Sequence, residues 1–267
     1  MKTAKSFHLF PKLKNKKILS LSIISVFIFF IAWFILSKLG IISKIILPSP
    51  DRVLSKFIQV IQKGYADKSL LEHIGISIFR VFLSLFIAMA IAIPLGIFVA
   101  LNDYFKSIID PFIEFYRPLP PLAYLPLIII WFGIGEISKI VLITLAILAP
   151  IFLNTKAGVQ SIPQERMRAA LCLGASKFQI IKSIVFPSAL YHILTGIRVG
   201  IGFGWTTLVA AEMVAANSGL GHMVLSASEF LVTEVVIIGI FIIGIIAIFT
   251  DYIMAILTRK FIHWHKG

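Results

Sequence analysis

Long apolar runs follow one another along almost the whole chain, and this pattern constrains the fold more than any other feature of the sequence. Of the 267 residues, 59% are hydrophobic and only 14% are charged, whereas a soluble domain has about 45–50% apolar and about 25% charged residues. A soluble protein has to cover its surface with polar groups, and a surface that faces lipid does not. The sequence therefore predicts an all-α membrane protein.

Six of the apolar runs are predicted to cross a bilayer, for which a spanning helix needs about 20 apolar residues. The fourth run is short, but Lys139 and Lys156 can snorkel from its ends. The third run begins in a proline-dense segment, so five spans are an alternative if that segment is re-entrant. Such a segment is tolerated inside a membrane only beside protein or a water-filled cavity. The predicted spans are Ile18–Ser37, Val81–Asn102, Pro118–Gly135, Ile140–Thr155, about 191–213 and about 235–257.

The charged residues predict the orientation of the chain. The net charge is +13, and six lysines lie in residues 1–17, so this basic tail is expected in the cytoplasm and residues 18–267 form one transmembrane domain. With six spans, the loop at 157–189 is also cytoplasmic, and the loop at 214–234, which has no Lys or Arg, is external. The first external loop, 39–75, is basic and contains an amphipathic helix expected on the outer membrane surface. The positive charge is attributed to orientation and anionic lipid rather than to nucleic-acid binding.

The chemistry that the chain lacks limits its function. Cys172 is the only cysteine, so an intrachain disulfide and a cysteine-cluster metal site are excluded. The sequence contains no G-x-x-x-x-G-K-[ST] phosphate loop, no metal-ligand cluster and no nucleophile–base pair. The chain is therefore predicted not to be an enzyme and to carry no cofactor, and any ATP that drives it would be bound by a partner subunit.

The cytoplasmic loop has a helix–turn–helix pattern. Pro163 and Glu165 favour helix initiation, and Gly174 lies where a left-handed C-terminal cap is expected. Ser176 is placed to cap a second helix, which is expected to end before Pro187. The pattern predicts two short helices joined by a glycine turn, polar enough to lie outside the bilayer.

The spacing within this loop resembles that of a known family. Arg168, Ala169 and Ala170 are followed after three residues by Gly174, and after nine more by Ile184-Val-Phe-Pro187. This order resembles the Glu-Ala-Ala loop of ATP-binding-cassette (ABC) importer permeases. The flanking segments resemble the branch that imports taurine, other sulfonates and nitrate-like anions, and are closest to taurine permeases; they are 193–200, 205–213, Gly219-Leu-Gly221 and the closing Trp264-His265.

The resemblance implies a type I importer permease of about six helices in the bacterial cytoplasmic (inner) membrane. It further implies a cytoplasmic ABC ATPase, an extracytoplasmic substrate-binding protein and a permease homodimer. The loop would receive force from the ATPase through Glu165, Arg168, Ala169, Ala170, Gly174 and Pro187. Arg168 stands where the family has its Glu, so the shape of the loop carries over to this chain and the ionic contact of the family Glu does not.

Four residues of the fifth span are candidates for the substrate path: Trp205, Thr206, Thr207 and Glu212. Hydroxyls and an indole donor can pass an anion without trapping it, whereas a lone carboxylate would repel one, so gating or dimer contacts suit Glu212 better. Helix packing, or for Glu212 a structural ion pair, is the alternative for these residues.

Other transport classes remain open from the residues alone. The substrate could be a nitrate- or bicarbonate-like anion or another small solute. An ion-coupled secondary transporter would need intramembrane carboxylate or histidine relays, for which Glu212 and Asp251 give thin support.

Overall fold

The computed structural model describes residues 16–39, 42–43 and 45–261, and most of the basic tail and the closing Trp264-His265 lie outside these residues. The regular structure of the described part is helical throughout, with one π-helical turn at Ile181–Val185. Its helices are α1 Lys16–Lys38, α2 Pro50–Lys63, α3 Leu70–Leu101, α4 Asp103–Tyr116, α5 Pro121–Phe132, α6 Glu136–Gln160, α7 Gln164–Cys172, α8 Lys177–Ile180, α9 Phe186–Ala215, α10 Leu220–Glu229 and α11 Thr233–Phe261.

Five helical segments in the described residues are long and apolar enough to cross a membrane, and a sixth crossing is possible through a bent helix pair. That pair is α4 and α5, which meet at an angle of 104°. The prediction that Pro118–Gly135 forms the third span as one run is therefore wrong, because the helix pair α4 and α5 takes its place. Proline at positions 118, 120 and 121 interrupts the helix, and the 12 residues of α5 extend only about 18 Å, less than the roughly 30 Å hydrocarbon core.

The direction of α3 and α6 shows that the bent pair crosses the membrane. Arg80 near the start of α3 contacts Glu136 at the start of α6, and Gly96 near the end of α3 lies against Phe152 and Thr155 near the end of α6. The two helices therefore run parallel, and the segment between them must return the chain to the side from which α3 started. A re-entrant loop would make them antiparallel, so six crossings follow, and both ends of the described chain lie on one side.

The centre of the bundle is formed by α3, α6 and α9, whose buried apolar side chains form one continuous cluster. Gly196 of α9 lies so close to α6 that an added Cβ would come within 2.8 Å of the Asn154 side chain. Small residues allow this approach, and close packing replaces the hydrophobic effect as the force that associates helices in lipid.

The second crossing begins earlier than its hydropathy predicts. We expected the span to start after Arg80, on the premise that a charged residue marks the membrane edge. Instead, α3 begins at Leu70, where Ser69 and Glu72 form a reciprocal capping box, and Arg80 is fully buried one-third of the way along the helix. Arg80 can be buried within the span because its guanidinium pairs with the carboxylates of Glu136 and Glu212.

The external face is covered by α2 and α10. Val60 of α2 is buried against Leu220 and Met223 of α10 and Val235 of α11. The amphipathic helix predicted in the first external loop is thus present as α2, but its apolar face packs partly on protein rather than only on the membrane surface.

Candidate functional site

The first half of the cytoplasmic loop forms the helix and turn that its sequence predicts. Gly174 has φ +81°, a left-handed conformation that strains other residues. Its N–H donates to the Leu171 carbonyl (2.9 Å), and the N–H of Ala175 donates to the Ala170 carbonyl (3.0 Å). This hydrogen-bond pair is a Schellman motif, and it fixes the angle at which the chain leaves α7.

The second half of the loop differs from the prediction at its end. Ser176 caps α8 as predicted, accepting from the Gln179 N–H while its own N–H donates to the Gln179 side chain. However, the helix does not end before Pro187. It continues through the π turn into α9, because the wider turn removes the clash between a proline ring and the carbonyl four residues earlier. The second half of the loop is therefore helically continuous with a spanning helix, over 177–215.

The outward surface of the loop combines charged, small and apolar residues. Glu165, Arg168 and Ala169 are exposed, Ala170 is half-buried, and Arg168 bonds only to Gln164 on its own helix (3.3 Å) among the described residues. Leu173 is 88% exposed and Phe178 is 73% exposed on either side of Gly174. Sequence reasoning missed these two, although apolar residues at a polar turn are a signal of a docking surface.

The candidate path residues on α9 do not form one group. Trp205 is buried and donates to the Thr250 hydroxyl of α11 (3.1 Å). Thr206 is exposed and bonds to its own helix, and Thr207 is buried. Trp205 and Thr206 line a cavity of about 530 Å³ between α9 and α11, which also contains a two-bond ion pair of Arg198 and Asp251 (2.5 and 2.6 Å) that the sequence did not indicate.

Glu212 lies away from this cavity, in a buried ionic network at the external end of the bundle. Its carboxylate accepts from the Ser77 hydroxyl (2.8 Å), the Arg80 guanidinium (2.6 Å) and the Gly221 N–H (2.8 Å). Arg80 also donates to the Ser218 carbonyl (2.7 Å). The network joins α3 and α9 to the turn that begins α10.

Two further residues complete the network. Glu136 of α6 accepts from Arg80 (2.6 and 2.7 Å) and pairs with Lys139 (2.8 Å). Two cations therefore face two carboxylates, and each charge has a partner within the described residues.

On the neighbouring α10, burial lowers the pKa of His222 below its ordinary value, which keeps its imidazole neutral at neutral pH.

The fold and the loop define a class, a polytopic helical membrane protein with a polar helix–turn–helix loop between two spans and no phosphate-binding loop in its sequence. The family model described as "Binding-protein-dependent transport system inner membrane component" matches residues 92–263. The chain belongs to this family of ABC importer permeases and is a multi-pass protein of the inner membrane.

Three relatives cover most of the chain. It is 48% identical over 247 residues to the "Taurine transport system permease protein TauC" of Escherichia coli K12, covering 92% of this chain and 90% of that protein. It is 33% identical to the "Putative aliphatic sulfonates transport permease protein SsuC" of Bacillus subtilis (88% and 84% covered). It is also 33% identical to the "Nitrate import permease protein NrtB" of Synechocystis (79% and 78% covered).

Solved structures give the same fold. An inward-facing structure of the MetNI methionine ABC transporter matches with a TM-score of 0.59 at 18% identity, covering 72% of this chain and 95% of that chain. An amino acid ABC transporter matches with a TM-score of 0.54 at 17% identity, covering 78% and 95%.

Proposed function

We propose that this chain is the membrane-spanning permease of an ATP-driven importer for taurine or another small sulfonate. The observation that carries the proposal is the 48% identity to a taurine transport permease, spread over 92% of this chain. The chain itself catalyses no chemical step; its role is to open a route for the solute alternately to the two sides of the membrane.

The force that drives this change enters through the cytoplasmic loop. Leu173 and Phe178 expose apolar surface to water on both sides of the Gly174 turn, which a partner's groove would cover with a gain of about 25 cal/mol per Å². Exposed Ala169 allows a close approach to the helix backbone. A cytoplasmic ABC ATPase fits this surface, and the continuous helical run 177–215 would carry its movement into α9.

The external partner is an extracytoplasmic substrate-binding protein, which would deliver the solute to the side on which α2 and α10 lie. Two copies of the permease would enclose the route between them. Trp205, Thr206 and Thr207 remain proposed path residues. Glu212, with its carboxylate fully engaged, is proposed to act on the route by holding its external end together.

The substrate is tested with the assembled importer, meaning the permease with its ATPase and its binding protein in liposomes. Taurine, ethanesulfonate, nitrate and bicarbonate are each offered at saturating concentration, and ATP-dependent uptake is measured. We expect uptake of taurine or ethanesulfonate and no uptake of the inorganic anions. Uptake of nitrate without either sulfonate would assign the chain to the function printed for its Synechocystis relative and overturn the proposal.

A further inference from the structure

A second cavity, of about 400 Å³, lies where the α4–α5 bend meets α6 and α9. Its floor on α6 includes Pro150 and Asn154, and Asn154 is 18 residues, or about 27 Å, from the start of α6. Leu145, which also lines the cavity, is nine residues, or about 14 Å, from the same point, so the cavity extends from near the middle of the membrane into its cytoplasmic half. It shares no lining residue with the α9–α11 cavity and is separate from the ionic network.

The charge in this cavity is unbalanced. Arg117 is the only charged residue in its lining, and no carboxylate in the described part of the chain pairs with this guanidinium. The α9–α11 cavity differs, because its Arg198 is neutralised by Asp251. The Arg117 side chain is exposed and lines the cavity, so its guanidinium is accessible to a ligand that enters from outside this chain. A guanidinium forms two parallel hydrogen bonds with a group that has several negative oxygens.

Two tyrosines beside Arg117 supply a further donor. The hydroxyls of Tyr116 and Tyr124 lie 2.9 Å apart, and neither has another partner among the described residues. One of the two hydroxyl protons forms the hydrogen bond between the tyrosines, so the proton of the other hydroxyl can be donated to a ligand. The Asn154 amide nitrogen donates to the Pro150 carbonyl (2.8 Å), which leaves the amide oxygen as an acceptor for a ligand ammonium group.

The remaining lining is apolar and includes Leu145, Val199 and Phe203. A small site with apolar walls and a few polar groups is the usual form of a small-molecule pocket, at about 300–1,000 Å³. The polar groups here are a cation and a hydroxyl donor, which suit a sulfonate, and an amide acceptor, which suits an amine, while the walls suit a short alkyl chain.

We propose that the cavity at the α4–α5 bend binds the transported solute on its way through the membrane, with Arg117 and the Tyr116–Tyr124 pair holding its sulfonate. This inference rests on the proposed function, since it takes a sulfonate to be the transported group. The bend in the third crossing thereby has a use, because it brings Arg117 and both tyrosines to one wall of the cavity.

The test measures taurine uptake by the assembled importer in liposomes, at saturating taurine-loaded binding protein, together with the basal ATPase rate. R117Q is expected to lower uptake by about tenfold or more, because charged hydrogen bonds contribute more than one factor of ten. R117K is expected to restore part of it, and basal ATPase activity is expected to be unchanged. The control is K106Q, which removes one positive charge from the same helix, α4, outside the lining of the cavity, and is expected to stay within about twofold of wild type.

Each outcome bears on one of the two proposals. A wild-type importer that takes up no sulfonate overturns the proposed function. A wild type that takes up taurine, with R117Q transporting equally well, overturns the binding site alone. If R117Q does not assemble with the ATPase, variants of the two tyrosines test the site instead. Y116F and Y124F each leave one hydroxyl free to donate, so each should lower uptake only slightly. The double variant Y116F/Y124F should lower uptake more than the two single effects combined. Equal uptake by the double variant would overturn the site.

Discussion

At the scale of single residues, the ionic network shows how three charges, those of Arg80, Lys139 and Glu212, can be buried in a membrane protein beside a fourth, Glu136, that is 56% exposed. Arg80 and Glu212 are both fully buried, and desolvating each of them costs several kcal/mol. The cost is offset because Arg80 donates to two carboxylates and to a backbone carbonyl. Since these partners come from α6, α9 and the turn before α10, the network is expected to hold the external end closed as one unit.

Removing one charge from this network should destabilise the fold. E212Q leaves two cations facing one carboxylate, and we expect unfolding of the purified permease to become easier by about 3 kcal/mol. The measurement is denaturant unfolding in detergent micelles. The control is E165Q on the exposed face of α7, which should change stability by less than about 0.5 kcal/mol. An E212Q protein as stable as E165Q would show that the network contributes no stability.

At the scale of elements, the shape of the cytoplasmic loop leads to a prediction about how the permease binds its ATPase. G174L adds a Cβ where no neighbouring atom of this chain lies within 4 Å, so the leucine side chain is expected to project toward the docked ATPase. It also strains a left-handed backbone by about 1–2 kcal/mol. We expect co-purification with the ATPase to be lost while the protein still inserts in the membrane.

The control for this variant is G133L. Gly133 has φ +75° and equally open surroundings, but it lies in the external turn between α5 and α6. The same strain on the other side of the membrane should leave ATPase binding intact. Normal co-purification of G174L, or equal loss in both variants, would contradict a docking role for the turn.

Local elements were predictable because their causes lie within a few residues. The Gly174 turn and the Ser176 cap depend on hydrogen bonds over three to five positions, and both were confirmed. The continuation through Pro187 was not predictable, because a π turn that accommodates the proline leaves no mark in hydropathy.

Features that depend on distant parts of the chain escaped the sequence reasoning. Arg80 looked like a membrane boundary because its partners, Glu136 and Glu212, are 56 and 132 positions away. The cavity at Arg117 could not be predicted from the sequence either, although the proline run did predict an interrupted helix that lies beside protein or a water-filled cavity. Which side chains line that break depends on how α6 and α9 pack against it.

At the scale of the whole molecule, the cytoplasmic loop, the central bundle and the ionic network are connected to one another through α9. The helical run 177–215 connects the proposed docking surface around Gly174 to the centre of the bundle, and the ionic network ties the far end of α9 to α3 and α6. A movement imposed at Gly174 would therefore reach both ends of the route. An ion-coupled transporter would not need the cytoplasmic surface, and the charges of the network are already paired among themselves.

The most direct test measures taurine uptake into liposomes under two driving forces. One set contains the permease with its ATPase and loaded binding protein, and the other contains the permease alone with a sodium or proton gradient. We expect uptake in the first set only, and only when ATP is supplied. Gradient-driven uptake by the permease alone would contradict the assignment to an ATP-driven importer.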